Sequence, residues 1–172
     1  MINRADYTVL RLLGKGKGGY SWLVEREGIQ YVLKEIHHEP CDYYSFGNKI
    51  ESERNDYHKL LETGIKMPEM LDIDMEKELI LKEYIEGQTV FELIREDKLE
   101  PFCVEQVREM AEKAEARGLN IDYFPTNFVL KEGVLYYIDY ECNPYSEQWN
   151  FENWGIEYWS KTDKFKDYVN QI

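Results

Sequence analysis

Between two runs of β-forming residues stands Gly14-Lys15-Gly16-Lys17-Gly18-Gly19-Tyr20-Ser21, and the glycines of this stretch restrict the fold more than any other feature of the chain. The spacing Gly14-x-Gly16-x-x-Gly19 also opens dinucleotide-binding folds, but those need a helix directly after the glycines. Here Trp22 to Glu25, the turn Arg26-Glu27-Gly28 and Gln30 to Ile36 read instead as a hairpin. A phosphate-binding Walker loop is excluded as well, because Tyr20-Ser21 stands where Lys followed by Ser or Thr is required. With Tyr7 to Leu13 as a further strand, the start of the chain is a three-stranded meander. Its glycine-rich turn exposes bare backbone that can approach the phosphates of a nucleotide lying under the sheet.

From Ser45 the apolar period changes. Phe46, Ile50, Tyr57, Leu60 and Leu61 fall on one face at about 100° per residue, and Gly64 with Pro68 ends the run, so one amphipathic helix is expected. Met70 to Asp74 and Glu78 to Tyr84 then complete a five-stranded sheet. Thr89 to Glu96 and Pro101 to Arg117 read as helices; the second carries the stripe Cys103, Val107, Met110, Ala111 and Ala114, and Gly118 stops it. Asn127 to Lys131 and Val134 to Asp139 form a hairpin signal around Glu132-Gly133. The aromatic tail, with Trp149, Phe151, Trp154, Tyr158 and Trp159, is expected to pack into the core of a helical second half.

Lys and Arg number 21 against 34 Asp and Glu, a formal charge of −13, which disfavours nucleic acid and anionic membranes as partners. The start lacks the apolar run of a signal peptide and no window resembles a membrane span, so a cytoplasmic location is expected. Cys41, Cys103 and Cys142 are odd in number and widely spaced, which suits reduced thiols. His37, His38 and His58 have no partner at metal-ligand spacing and read as surface residues.

Two constellations carry chemistry. Lys34 alternates with Val32 and Ile36 on one face of its strand, and an inward ammonium needs a partner. Glu53 is the acid on the apolar side of the following helix. Such a Lys–Glu pair holds a phosphate-gripping ammonium in place, or serves as a plain structural ion pair. The second constellation is Asp122-Tyr-Phe-Pro-Thr-Asn127. A hairpin centred on Glu132-Gly133 sets Asn127 opposite Ile138 and beside Asp139. An amide and a carboxylate side by side suit Mg²⁺. Asp122, on the irregular loop before them, is placed to accept a proton from an attacking hydroxyl. By itself, D-x-x-x-x-N followed by I-D also arises by chance in an acidic chain.

In order, however, the chain presents a glycine loop, a strand Lys, a helix Glu, the strand ending Leu81-Lys82-Glu83-Tyr84-Ile85-Glu86-Gly87, D-x-x-x-x-N and I-D. From Tyr7 to about Glu141 it resembles the protein-kinase-like superfamily, most closely its small atypical members such as the RIO and Bud32 kinases and the lipopolysaccharide or small-molecule kinases. The resemblance implies a two-lobed α+β fold: an N-lobe over about 1–84 with a five-stranded antiparallel sheet and one helix, a hinge at about 83–87, and a truncated, mainly helical C-lobe over about 88–172. It also implies ATP and Mg²⁺ as cofactors, with Gly14, Gly16, Gly19, Val32 and Lys34 against the nucleotide and Lys82 behind it. Glu83 and Ile85 would contact adenine, and Asn127 and Asp139 would hold the metal. Asp122, Lys34 and Glu53 would form the catalytic set, transferring a γ-phosphoryl group to an unknown hydroxyl, either a protein Ser/Thr or a small molecule.

The chain departs from the superfamily pattern at three points. Asn120-Ile121-Asp122 replaces His-Arg-Asp or His-Gly-Asp, Phe124 stands where many protein kinases have Lys, and Asp139-Tyr140-Glu141 replaces Asp-Phe-Gly. No Ala-Pro-Glu follows Asp139, so neither a regulated activation segment nor a platform for extended peptides is expected. Phe124 and the absent His favour a second reading, a nucleotide-binding pseudokinase acting as an interaction protein. The joint presence of Lys34, Glu53, Asp122, Asn127 and Asp139 favours the enzyme over both this and a binding module that never meets nucleotide.

Overall fold

The computed structural model describes residues 1–38 and 48–172. The expected first turn of the helix from Ser45, with Phe46, and the thiol of Cys41 lie outside the described residues. The chain forms two compact units, Met1–Asn55 with Pro68–Tyr84, and Asp56–Met67 with Ile85–Ile172.

The first unit is built on β1 (Thr8–Lys15), β2 (Gly19–Arg26), β3 (Ile29–Ile36), β4 (Met70–Asp74) and β5 (Leu79–Glu83), with α1 (Lys49–Leu61) beginning within it. The strands form one antiparallel sheet in the order β1-β2-β3-β5-β4. The α+β class and the five-stranded antiparallel sheet are as expected. Register explains the burial: Leu33 pairs with Leu81 and Trp22, so these side chains share a face with Val24 and pack with Ile2. On the opposite face Ile36 and Ile80 pack against Ile50 of α1. β3 is thus buried on both faces, as a central strand requires, while β1 forms an edge along which all eight residues are exposed. The N-terminal residues, which carry no strand or helix signal, clasp the sheet: Ile2 is fully buried, and Asn3 donates to Asp72 and to the carbonyl of Ile73.

The second unit contains β6 (Gln88–Thr89), α2 (Val90–Arg95), α3 (Pro101–Glu115), β7 (Leu119–Ile121), β8 (Phe128–Lys131), β9 (Val134–Tyr137), β10 (Cys142–Pro144) and α4 (Asp163–Gln171). Thr89 caps α2 in a reciprocal box with Glu92, and Pro101 opens α3 without loss of a hydrogen bond. Cys103, Val107, Met110 and Ala114 are buried as expected, with Ala111 packed beside them. Helices are the larger elements here, but two small sheets, β6-β8-β9 and β7-β10, accompany them. Only the β8-β9 hairpin among these carries a sequence signal. Cys103 and Cys142 are free and buried, and burial pushes the Cys142 thiol up to about 12. Among the described residues no helix is long and apolar enough to cross a membrane.

The aromatic tail divides. Phe151 and Trp159 join the core, Trp149 is exposed, and Trp154 and Tyr158 stay half-buried at the surface.

Candidate functional site

Strand alternation turns Lys34 to the face of β3 that α1 covers, and its Nζ lies 2.8 Å from Glu53 Oε1. Both side chains are almost shielded from water, at 13% and 11% exposure, so each needs the other's charge. A second shielded acid of α1, Asp56, accepts from the Cys142 N–H at 3.4 Å within the second unit.

The glycine turn adjoins the Lys34 ammonium: a Cβ added to Gly18 would stand 3.8 Å from Nζ. The turn closes through the Gly16 N–H donating to the Gly19 carbonyl at 2.9 Å, and the His37 N–H donates to the Gly18 carbonyl. His37 Nε2 lies 3.0 Å from the Gly16 carbonyl and therefore carries the proton, since a carbonyl only accepts. The buried Lys49 ammonium donates to the carbonyls of His37 and Lys17, at 2.6 and 3.4 Å. Four successive carbonyls, Gly16 to Gly19, are thus engaged by donors of the protein itself. Those donors partly offset the carbonyl dipoles of the loop.

The three glycines of the motif differ in what requires them. A Cβ at Gly19 would meet the Glu35 carbonyl oxygen at 2.3 Å, so β2 and β3 can close only with glycine there. Among the described residues, a Cβ at Gly14 would meet nothing within 4 Å, and one at Gly16 only the Gly19 oxygen at 4.0 Å. Packing among the described residues gives no reason for glycine at either position.

On β5, Val32 pairs with Lys82, which is buried on the same face as Lys34. The Glu83 N–H donates to the Glu69 carbonyl at 2.9 Å and its side chain accepts from the Glu69 N–H, fixing the end of the strand. Ile85 is buried and opens the second unit.

In the second unit the β8-β9 hairpin has the expected register. Phe128 pairs with Tyr137, and Ile138 N–H donates to the Asn127 carbonyl at 2.9 Å. The two-residue turn is held by Glu132 and Gly133 at φ 49° and 77°, the left-handed pair of a type I′ hairpin. Asn127 and Asp139 therefore flank one end of the hairpin. Asn127 Nδ2 donates to the Asp122 carbonyl at 3.3 Å, tying the amide to the loop that carries the expected base. Asp122 Oδ1 accepts from the Phe124 N–H at 3.1 Å, and Asp139 Oδ1 from the Tyr140 N–H at 2.8 Å, so both carboxylates are oriented by local backbone.

Sequence reasoning missed the residue that joins these groups. Tyr137 is fully buried; its hydroxyl accepts from the Asp122 N–H at 3.2 Å and donates to the Glu141 carbonyl at 2.7 Å. Burial first, then the nearby charges of Asp139 and Asp122, raise its pKa well above the ordinary phenol value. The hydroxyl thus stays protonated as a fixed donor. The partners of a buried hydroxyl are not encoded by strand alternation, so the hairpin signal over Val134 to Asp139 did not disclose them. Tyr137→Phe removes both bonds in a dry environment and should destabilise the protein by about 1–3 kcal/mol in urea unfolding. An unchanged unfolding midpoint would show that the hydroxyl does not bind the loop to the hairpin.

Amide and carboxylate oxygens are hard donors, and two of them with phosphate oxygens and water make a usual Mg²⁺ environment. Asn127 and Asp139 fit that description. Among the described residues no group of three or more His, Cys, Asp or Glu is placed to hold a metal alone, so phosphate would have to supply ligands.

No protein-family model matches the chain. Over 82 residues it is 32% identical to the KEOPS complex subunit Bud32 of Pyrococcus abyssi (strain GE5 / Orsay), an alignment covering 46% of this chain and 37% of that protein. The similarity spans less than half of either sequence. It supports the protein-kinase-like superfamily, at which level the chain's motifs also stand, and does not single out a subfamily.

Proposed function

We propose that the chain is a cytoplasmic phosphotransferase that uses Mg-ATP and passes the γ-phosphoryl group to a hydroxyl. The observation that carries this reading is the Lys34 ammonium, held 2.8 Å from Glu53 and adjoining a glycine turn whose carbonyls are already engaged. An ammonium so placed is suited to the α- and β-phosphates. Gly14 and Gly16, which packing does not require, leave the backbone bare for the nucleotide. Glu83 and Ile85 take the adenine edge and Val32 its face, with Lys82 behind.

Asn127 and Asp139 would hold Mg²⁺, which would offset phosphate charge. Asp122 orients the acceptor hydroxyl and takes its proton while the acceptor oxygen bonds to the γ-phosphorus; the bond from that phosphorus to the β–γ bridging oxygen breaks, and ADP leaves. Positioning and charge neutralisation supply most of the rate.

ADP release measured with a panel of hydroxyl compounds and folded proteins tests the reading. Saturable, acceptor-dependent ADP formation is expected. A second reading has its own support: Phe124, in place of a cationic residue, makes ring contacts with Tyr158 and Tyr168. ATP binding without ADP from any acceptor or water would establish that nucleotide-binding pseudokinase instead. Gly16→Val probes the loop separately. It should unfold within about 0.5 kcal/mol of the parent yet bind ATP about 10-fold more weakly; equal affinity would remove the glycine turn from the site.

A further inference from the structure

Two residues beyond Asp122 the chain enters a groove of about 290 Å³, walled by Phe124, Trp154, Tyr158 and Tyr168, with Lys164 and Asp167 at its rim. The four rings are mutually braced: centroids lie 4.7 Å apart for Phe124 and Tyr168, 5.2 Å for Phe124 and Tyr158, and 5.4 Å for Trp154 and Tyr158. All four are only half-buried, although Phe151, Trp159 and Phe165 from the same stretches are at most 3% exposed in the core. Trp154 and Tyr168 pack against that core with part of their surface left open, as Phe124 and Tyr158 also have.

We propose that this groove binds the acceptor, and that the acceptor is a small organic cation bearing a hydroxyl. Aromatic rings attract a cation through their quadrupoles, and four of them line this groove. The charge at the rim has the matching sign, because Lys164 Nζ is 2.5 Å from Glu157 Oε2 and so neutralised, which leaves Asp167. A chain of formal charge −13 favours the same ligands at long range. The volume lies just below the roughly 300–1,000 Å³ usual for small-molecule sites and so suits a small ligand. The wall residue Phe124 stands two residues from the carboxylate expected to act as base, and its main-chain N–H donates to Asp122 Oδ1 at 3.1 Å. The aromatic residue at 124 thus exchanges a phosphate contact for a wall of the acceptor site.

Recognition of the cation does not depend on nucleotide; transfer to its hydroxyl rests on the phosphotransferase reading. With Mg-ATP, the hydroxyl oxygen bonds to the γ-phosphorus, the β–γ bridging bond breaks to release ADP, and the proton passes to Asp122.

Binding is tested first without nucleotide, by calorimetry with choline, tetramethylammonium and the uncharged isostere of choline, 3,3-dimethylbutan-1-ol. Both cations should bind saturably, and choline roughly 3- to 30-fold more tightly than the isostere. Trp154→Leu and the rim variant Asp167→Asn, which lies outside the core, should each weaken choline binding several-fold. Equal affinity for choline and its isostere, or no saturable binding of either cation, overturns the proposal. ADP release is then followed with Mg-ATP and the same compounds. Choline-stimulated release supports the acceptor role, and turnover of neutral alcohols but not of bound choline overturns it. Failure to bind ATP contradicts the phosphotransferase reading alone, because the nucleotide-free titration still decides the groove.

Discussion

Asp122→Asn should leave Mg-ATP binding close to that of the parent and lower phosphoryl transfer by about 10²- to 10⁴-fold, the usual contribution of a positioned general base. The asymmetry follows from the bonds of the loop. Asn keeps an oxygen that can accept the Phe124 N–H, and the Asp122 main chain remains tied to Tyr137 and Asn127. Only the basic carboxylate is lost. Asp139→Asn should act differently, weakening the dependence of ATP binding on Mg²⁺, because an amide is a poorer ligand for a hard cation. Titrations of both variants with and without Mg²⁺, alongside initial rates, separate the two roles. Equal loss of ATP binding in both variants would show that Asp122 is not the base.

Lys34→Met should abolish productive nucleotide binding, and its effect on stability should be separable from its effect on function. Alone, the substitution leaves the Glu53 carboxylate shielded and uncompensated, which should destabilise the protein by about 3–5 kcal/mol if the charge is fully retained. The double variant Lys34→Met/Glu53→Gln removes both charges, and replacement of a shielded ion pair by neutral groups of similar size is often tolerated. Its unfolding midpoint should therefore return toward that of the parent while ATP affinity does not. Recovery of ATP affinity in the double variant would reduce the Lys34–Glu53 pair to a structural ion pair.

The parts of this arrangement legible in the sequence are those governed by local periodicity. Strand alternation turned Lys34 inward, the helical period turned Glu53 toward it, and the Glu132-Gly133 turn set the register that brings Asn127 beside Asp139. In each case a repeat of 2 or 3.6 residues carries the information. Lys49 and His37 were not legible, because a lysine or histidine side chain that meets a distant carbonyl leaves no periodic trace. Nor were β7 and β10, strands of three residues each, which exist only through their pairing with one another. The division of the aromatic tail into core and groove was hidden for a related reason: apolar composition predicts burial on average, while the path of the chain through the 3₁₀ turn Gly155–Tyr158 and into α4 decides which rings are covered.

Mg-ATP binding is the central claim, and a thermal-shift titration measures it without knowledge of the acceptor, because a ligand that binds only the folded state raises the melting temperature by mass action. ATP with Mg²⁺ should raise the midpoint with the logarithm of its concentration above Kd, by the equivalent of about 2.7 kcal/mol at a hundredfold excess. ATP with EDTA should give a smaller shift, and Lys34→Met/Glu53→Gln none. A midpoint unmoved by Mg-ATP at millimolar concentration, or an equal shift in the double variant, would contradict the assignment of the glycine turn, Lys34, Asn127 and Asp139 to a nucleotide site.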